Sequence, residues 1–223
     1  MTHRLVSPTL SELNLAEIES ALAAGHGEVI YQEGDQTIRR FQAAGLDLVS
    51  KSYRHTSLKQ KLATLFRYSR ARRSFRAGQR LVCASIATPH PFLLIERGSH
   101  LPDSSLLVTE FCGHPSLLDL VNSGSPIPPS VPPNILKLLH HLISIRCGHG
   151  DFHARNILIG PDGTAHLIDL DGMQYRHRTS EVTRHALKDR DRLLRSLAPL
   201  PDHHARFAKV LGVPGEPLPA LSS

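Results

Sequence analysis

The feature that most constrains this chain is a pair of acid-bearing segments wrapped around a short apolar hairpin. His149-Gly150-Asp151-Phe152-His153-Ala154-Arg155-Asn156 leads into an apolar run at 157–159, a Pro161-Asp162-Gly163 turn and a second apolar run at 165–168, which ends on Asp169-Leu170-Asp171-Gly172. Two apolar runs separated by Pro-Asp-Gly read as a hairpin. The loop before its first strand carries Asp151 and Asn156, and the turn after its second carries Asp169. One rigid element therefore gathers three oxygen-bearing groups at one end.

Those residue types suit phosphoryl transfer. Moving a γ-phosphoryl group needs positioning, a divalent cation to absorb charge, and a carboxylate beside the accepting hydroxyl. Mg²⁺ takes oxygen ligands and binds through one or two carboxylates plus phosphate oxygens. Asp151 suits the carboxylate that orients and deprotonates the acceptor. Asn156 offers a neutral oxygen to the metal and Asp169 a charged one. Asp-x-x-x-x-Asn is the spacing of a kinase catalytic loop, and Ile168-Asp169-Leu170-Asp171-Gly172 stands where the metal-binding Asp-Phe-Gly stands.

The chain has 223 residues, enough for one two-lobed domain, and 40% of them are apolar, enough for a true core. No apolar run approaches the roughly 18 residues of a membrane span, and the opening residues lack the apolar stretch of a signal peptide. Cys83, Cys112 and Cys147 are scattered and outside any CxxC pair, which argues against a disulfide framework or a zinc site and fits a reducing cytosol. The 15 histidines are dispersed and read as surface residues. Net charge is +6 and unevenly placed. From Lys51 to Ile95 there is no acid at all, while Lys51, Arg54, Lys59, Lys61, Arg67, Arg70, Arg72, Arg73, Arg76 and Arg80 all fall there. Such a field attracts polyanions, either nucleic acid or anionic headgroups and phosphates at a membrane surface.

In chain order, Asn14 and Glu17 suggest a capping box opening a short helix that Gly25 ends. Segments 28–32, 37–42 and 46–53 read as three antiparallel strands, with Lys51 alternating among apolar neighbours on the third. A helix, or two with a break, follows over 57–84, and Pro89 and Pro91 bar its continuation. Segments 92–97 and 105–111 read as two more strands. Three strands, helix, two strands is the order of a kinase amino-terminal lobe. Glu110-Phe111-Cys112-Gly113 then stands at the hinge, where backbone groups of Glu110 and Cys112 can meet an adenine. Residues 115–121 read as a short helix, 122–133 as a proline-rich connector, and 134–146 as a buried helix. Helices at 181–197 and 202–211 follow, then a frayed tail from Pro214.

These residues resemble the bacterial lipopolysaccharide core kinases of the Kdo/heptose kinase type, a compact branch of the protein-kinase-like superfamily. The resemblance runs from about Gly27 to Leu197. It rests on Leu48 to Arg54, Ser69 to Phe75, Ile86 to Pro91, His149 to Leu158, Leu167 to Gly172 and Lys188 to Leu197. It implies an α+β, two-lobed kinase fold: a helical extension at 1–26, an amino-terminal lobe at 27–111, a carboxy-terminal lobe at 112–213 and a tail at 214–223. It also implies ATP and Mg²⁺ as cofactors, with phosphate passing to a Kdo or heptose hydroxyl of an anionic lipid A–core glycolipid at the inner face of the cytoplasmic membrane. Asp151 becomes the catalytic base, Asn156 and Asp169 the metal ligands, and Lys51 the phosphate-binding lysine. The basic stretch then faces a phosphorylated glycolipid rather than nucleic acid.

The chain departs from the kinase pattern twice. The helix after Lys51 has no glutamate to pair with it, and Ser74 stands near that place. There is also no GxGxxG, so Gly34-Asp35-Gln36-Thr37 is left to cover the nucleotide through backbone amides. Two other readings stay open: a protein or small-molecule kinase of the same superfamily, and a non-catalytic nucleotide-binding scaffold.

Overall fold

The structure, a computed structural model, describes residues 2–54, 68–98, 102–176 and 178–221. The chain divides into two compact units. One comprises Met1–Arg80 with Pro89–Cys112, the other Leu81–Thr88 with Gly113–Ser223.

The first unit is built on a six-stranded antiparallel sheet. Its strands are β1 (Thr2–Val6), β2 (Glu28–Glu33), β3 (Gln36–Ala43), β4 (Leu46–Arg54), β5 (Pro91–Gly98) and β6 (Pro102–Glu110), in the order β1-β5-β6-β4-β3-β2. Helix α1 (Glu12–Ala23) covers one face and α2 (Arg70–Cys83) the other. Successive side chains on a strand point to opposite faces, and both faces here are apolar. Leu93, Ile95, Val108 and Leu48 pack with Ile18 and Ala21 of α1. Leu94, Leu107 and Tyr53 pack with Ala71 and Phe75 of α2. Burying a side chain such as Leu48 contributes about 1.5–3 kcal/mol.

Strands β2 to β5 fall within one residue of where apolar alternation places them, β6 begins at Pro102 rather than Ser105, and two further differences arise at the amino terminus. Residues 1–26 hold a strand as well as a helix. Thr2–Val6 pairs with β5, from Thr2 opposite Arg97 to Val6 opposite Leu93. Its polar, largely exposed residues carry no apolar alternation, because an edge strand needs little burial. Helix α1 is capped by Ser11, whose Oγ accepts from the Asn14 N–H at 3.2 Å, and not by Asn14. Glu17 turns instead to the β3–β4 turn, where its carboxylate accepts from the Ala44 N–H at 2.5 Å. The expected helix over 57–84 is present as Arg70–Cys83, and its part at 57–67 lies outside the described residues.

The second unit is mainly helical. It contains α3 (Leu117–Asn122), α4 (Val131–Ser144), α5 (Thr179–Leu197) and α6 (Pro201–Leu211). A hairpin joins β8 (Ile157–Ile159) to β9 (Ala165–Leu167), and the two-residue strand β7 (Cys147–Gly148) pairs with β10 (Gln174–Tyr175). Ser116 and Asp119 form a full capping box at α3. Helix α4 begins at Val131, inside the segment read as connector. Pro132 and Pro133 occupy its first turn, where a missing N–H costs nothing. The Asn134 side chain donates to the Gly163 carbonyl at 2.9 Å and fixes the hairpin turn to α4. Segment 81–88 joins this unit through Leu167, whose N–H donates to the Ala87 carbonyl and whose carbonyl accepts from the Thr88 hydroxyl.

The carboxy-terminal segment is tied down rather than frayed. Arg190, fully buried on α5, donates to the Glu216 carbonyl at 2.7 Å and to Asp191 at 2.9 Å, and the His140 ring bonds the Pro219 carbonyl at 2.8 Å. Replacing Arg190 by alanine leaves a cavity and removes the partner of the Glu216 carbonyl. The expected loss is roughly 3 kcal/mol of stability, with faster proteolysis between 213 and 221, read by urea unfolding and mass spectrometry of the fragments.

Candidate active site

In the second unit, residues 149–156 are held from three sides. Phe152 is fully buried and anchors the loop in the core. From α5, the Asp189 carboxylate, 1% exposed, accepts from the His149 N–H at 2.7 Å and the Gly150 N–H at 3.0 Å. Farther along α5, the Ser196 hydroxyl accepts from the Ala154 N–H at 3.1 Å. The third side is the segment after β9. A side-chain carbon on Gly150 would sit 2.4 Å from the Gly172 carbonyl oxygen, so the two backbones touch, and Gly150 lies at φ +82. Only glycine meets both conditions without displacement.

His149 joins these segments. Its Nδ1 accepts from the Asp151 N–H at 3.3 Å, which leaves Nε2 as the protonated nitrogen donating to the Ile168 carbonyl at 3.0 Å. That arrangement requires a neutral ring. Complete burial pushes its pKa below the ordinary histidine value, against the pull of Asp189 and the Ile168 carbonyl. Burial likewise raises the Asp189 carboxyl, opposed by its contacts with His149 and Arg192. Arg192 Nη1 stands 2.9 Å from Asp189 Oδ1.

Asp151, Asn156 and Asp169 come together within this unit. The Asn156 amide nitrogen donates to both the Asp151 carbonyl and Asp151 Oδ2, each at 2.9 Å. With its nitrogen committed to donating, the Asn156 side-chain oxygen is the atom left that could serve a cation. The Asn156 backbone carbonyl accepts from the Ile168 N–H at 3.1 Å, immediately before Asp169. Asp169 adopts a left-handed conformation, φ 58 and ψ 58, which aspartate tolerates better than most residues and which costs about 1–3 kcal/mol. His153 Nε2 approaches Asp151 Oδ1 at 3.1 Å, and Arg155 lies at 4.0 Å from the same carboxylate. Among the described residues no group of three or more His, Cys, Asp or Glu could hold a metal ion. The residues fit Mg²⁺ as a partial oxygen set, an amide oxygen and a carboxylate, to be completed by phosphate and water.

Lys51, Glu110 and Cys112 belong to the first unit. Lys51 pairs with Leu107 across the sheet and lies on the α2 face, with its Nζ 5.7 Å from the Tyr53 ring centroid. Glu110 pairs with Leu48, so its side chain lies on the α1 face, beside Thr9, Asn14, His90 and Phe92 around a shallow cavity of about 350 Å³. Strand alternation thus sends the Lys51 and Glu110 side chains to opposite faces, and the Glu110 N–H is donated to the His90 carbonyl at 2.9 Å. At the end of β6 the Phe111 N–H donates to the Asp47 carbonyl, while the Arg40 guanidinium, bound to the Asp47 carboxylate, stacks 3.8 Å from the Phe111 ring centroid. Cys112 is half-buried and reduced.

Asp189 is the functional residue that motif reading missed. Its signal was present: it falls on the stripe Val182, Ala186, Asp189, Leu193, Leu197 that α5 buries. An acid on an apolar stripe calls for a buried partner.

The pH dependence of stability follows from His149. The unfolded chain protonates this ring near 6.5, whereas the folded chain protonates it only at lower pH. Its contribution is therefore complete above about pH 6.5 and drains away as pH falls below that value. The half-buried His185 is shifted the same way by burial and by Arg176. Asp189, raised by burial, acts with the opposite sign, so the His149 share is read as a difference: in urea unfolding from about pH 7.5 to 5, stability is expected to fall more steeply in the wild type than in His149→Gln.

Comparison with known proteins adds an independent finding. The model of the lipopolysaccharide kinase (Kdo/WaaP) family matches residues 24–211. No curated protein matches the chain.

Proposed function

The chain belongs to the lipopolysaccharide kinase (Kdo/WaaP) family, within the protein-kinase-like superfamily, and on that premise we propose that it phosphorylates a Kdo or heptose hydroxyl of the lipid A–core. Members of this family are kinases acting on sugar hydroxyls, and kinase membership implies ATP. The site of action in this proposal is the inner face of the cytoplasmic membrane. Among the described residues no helix is long and apolar enough to cross a membrane.

The observation that carries the mechanism is the bond from the Asn156 amide to Asp151 Oδ2 at 2.9 Å. It orients the Asp151 carboxylate and leaves the Asn156 side-chain oxygen as the acceptor that would meet a metal. In the proposed mechanism Asp151 Oδ1, the oxygen not held by Asn156, receives the acceptor sugar's hydroxyl proton as the sugar oxygen bonds to the γ-phosphorus and the bond to the β,γ-bridging oxygen breaks, that oxygen leaving on ADP. Asn156 and Asp169 would hold Mg²⁺, which would neutralise charge on the phosphate oxygens. Lys51 binds the phosphates, and the backbone at Glu110 and Cys112 binds the base. Asp189 and His149 do no chemistry; they hold the loop so that Asp151 stays in register with Asp169.

Incubating the purified protein with labelled ATP, Mg²⁺ and isolated lipid A–core acceptors, beside protein acceptors, tests this reading. Label is expected on the glycolipid, and label on protein alone would replace the sugar assignment. Asp151→Asn is expected to lower transfer by about 10²–10⁴ with folding and nucleotide binding retained. An unchanged rate in that variant would remove Asp151 from the chemistry.

A further inference from the structure

Helix α2 lacks the acid that usually pairs with a kinase's strand lysine, and the first unit shows what its amino-terminal turn does instead. The buried carboxylate facing this turn comes from the sheet. Glu96 of β5, 5% exposed, accepts from the Ser69 hydroxyl and the Arg72 guanidinium. Ser69 in turn caps the helix, its Oγ accepting from the Arg72 N–H at 3.0 Å. Ala71 and Phe75 bury against Tyr53, Leu94 and Leu107. These contacts lock the first turn of α2 over Tyr53, and Arg70 is the exposed residue they carry to that ring.

Two cations thus meet one aromatic side chain. The Arg70 guanidinium carbon lies 5.0 Å from the Tyr53 ring centroid, and Lys51 Nζ lies 5.7 Å from it. Both distances are within cation–π range, about 6 Å. The ring itself is 3% exposed, so it is no stacking platform for a ligand; its role is to hold the two heads in place. Arg70 is exposed and Lys51 half-buried, so both remain accessible from solvent. A lysine point charge and a planar guanidinium fork that share one ring are a pairing suited to a chain of phosphates, with arginine supplying bidentate bonds.

We propose that Arg70 is a second polyphosphate-binding residue: Lys51 and Arg70, held on the Tyr53 ring, together bind the phosphate chain of a nucleoside triphosphate. This rests on the reading of the chain as an ATP-dependent kinase. The Tyr53 ring contacts both cations, and the Arg70 guanidinium adds a second positive charge to that of Lys51. Affinity should then depend on the number of phosphates more steeply than one lysine provides.

The test is fluorescence displacement of a labelled nucleotide by ATP, ADP and AMP, in the presence of Mg²⁺, with the full chain. Arg70→Ala is expected to weaken ATP binding about 10- to 100-fold, the range of a charge-assisted bond, while AMP changes little. Arg70→Lys should recover part of the loss. Arg39→Ala, on β3 opposite Ser50 and so on the other face of the sheet from Lys51, removes the same charge from the same unit and should leave ATP affinity unchanged. Unchanged ATP affinity in Arg70→Ala overturns the proposal, as does an equal loss for ATP and AMP or an equal loss in Arg39→Ala. If Arg70→Ala fails to fold, Arg70→Gln carries the same comparison. A wild-type chain that binds none of the three nucleotides overturns the kinase reading itself, whereas wild-type binding with no Arg70 effect overturns this inference alone.

Discussion

A single buried carboxylate organises the chemistry-bearing half of this protein. Asp189 accepts two consecutive backbone N–H groups, those of His149 and Gly150, and so fixes the entry to the loop that ends on Asn156. An unpaired carboxylate at 1% exposure is costly, so the bonds are mutually obligatory. The loop's amides need an acceptor away from water, and the acid needs donors. The neutral ring of His149 extends the arrangement to Ile168, one residue before Asp169. Loop, hairpin and α5 are thereby coupled through three hydrogen bonds, each between a buried side chain and the backbone of the segments that carry Asp151 and Asp169.

The first unit obeys a different constraint. Its sheet is apolar on both faces, and strict alternation divides the strand residues between two helices. Lys51 is committed to the α2 face by its register opposite Leu107, and Glu110 to the α1 face by its register opposite Leu48. A shift of one residue in the β4–β6 pairing would exchange these assignments. The position of the lysine therefore rests on the packing of Leu94, Leu107, Ala71 and Phe75, none of which has any chemistry of its own.

Much of this was legible in the residues. Apolar alternation marked β3 and β4 to within one residue at each end, and the Asp151–Asn156 spacing pointed to the loop. What was missed shares a physical cause. β1 is an exposed edge strand with nothing to alternate, and β7 and β10 are two residues long. α4 begins earlier than its proline-rich segment suggested, because proline is harmful only beyond the first turn. Asp189 acts across 39 and 40 residues, and the tail is held by Arg190 and His140 from two different helices. Periodicity reports on local burial, whereas these features depend on partners distant in sequence.

The outer strand β2 has a consequence of its own. Every one of its six residues is exposed, Val29, Ile30 and Tyr31 among them, and its far side is the border of the sheet. A flat apolar border of this kind is a template onto which another molecule's strand can add, the first step of fibrillar self-association. The register shift between Val29 and Tyr31 interrupts the straight ladder at that spot, and Glu28 and Glu33 place negative charge at both ends. The kink and the paired acids are gatekeeper features, of the kind that oppose strand addition at a greasy rim.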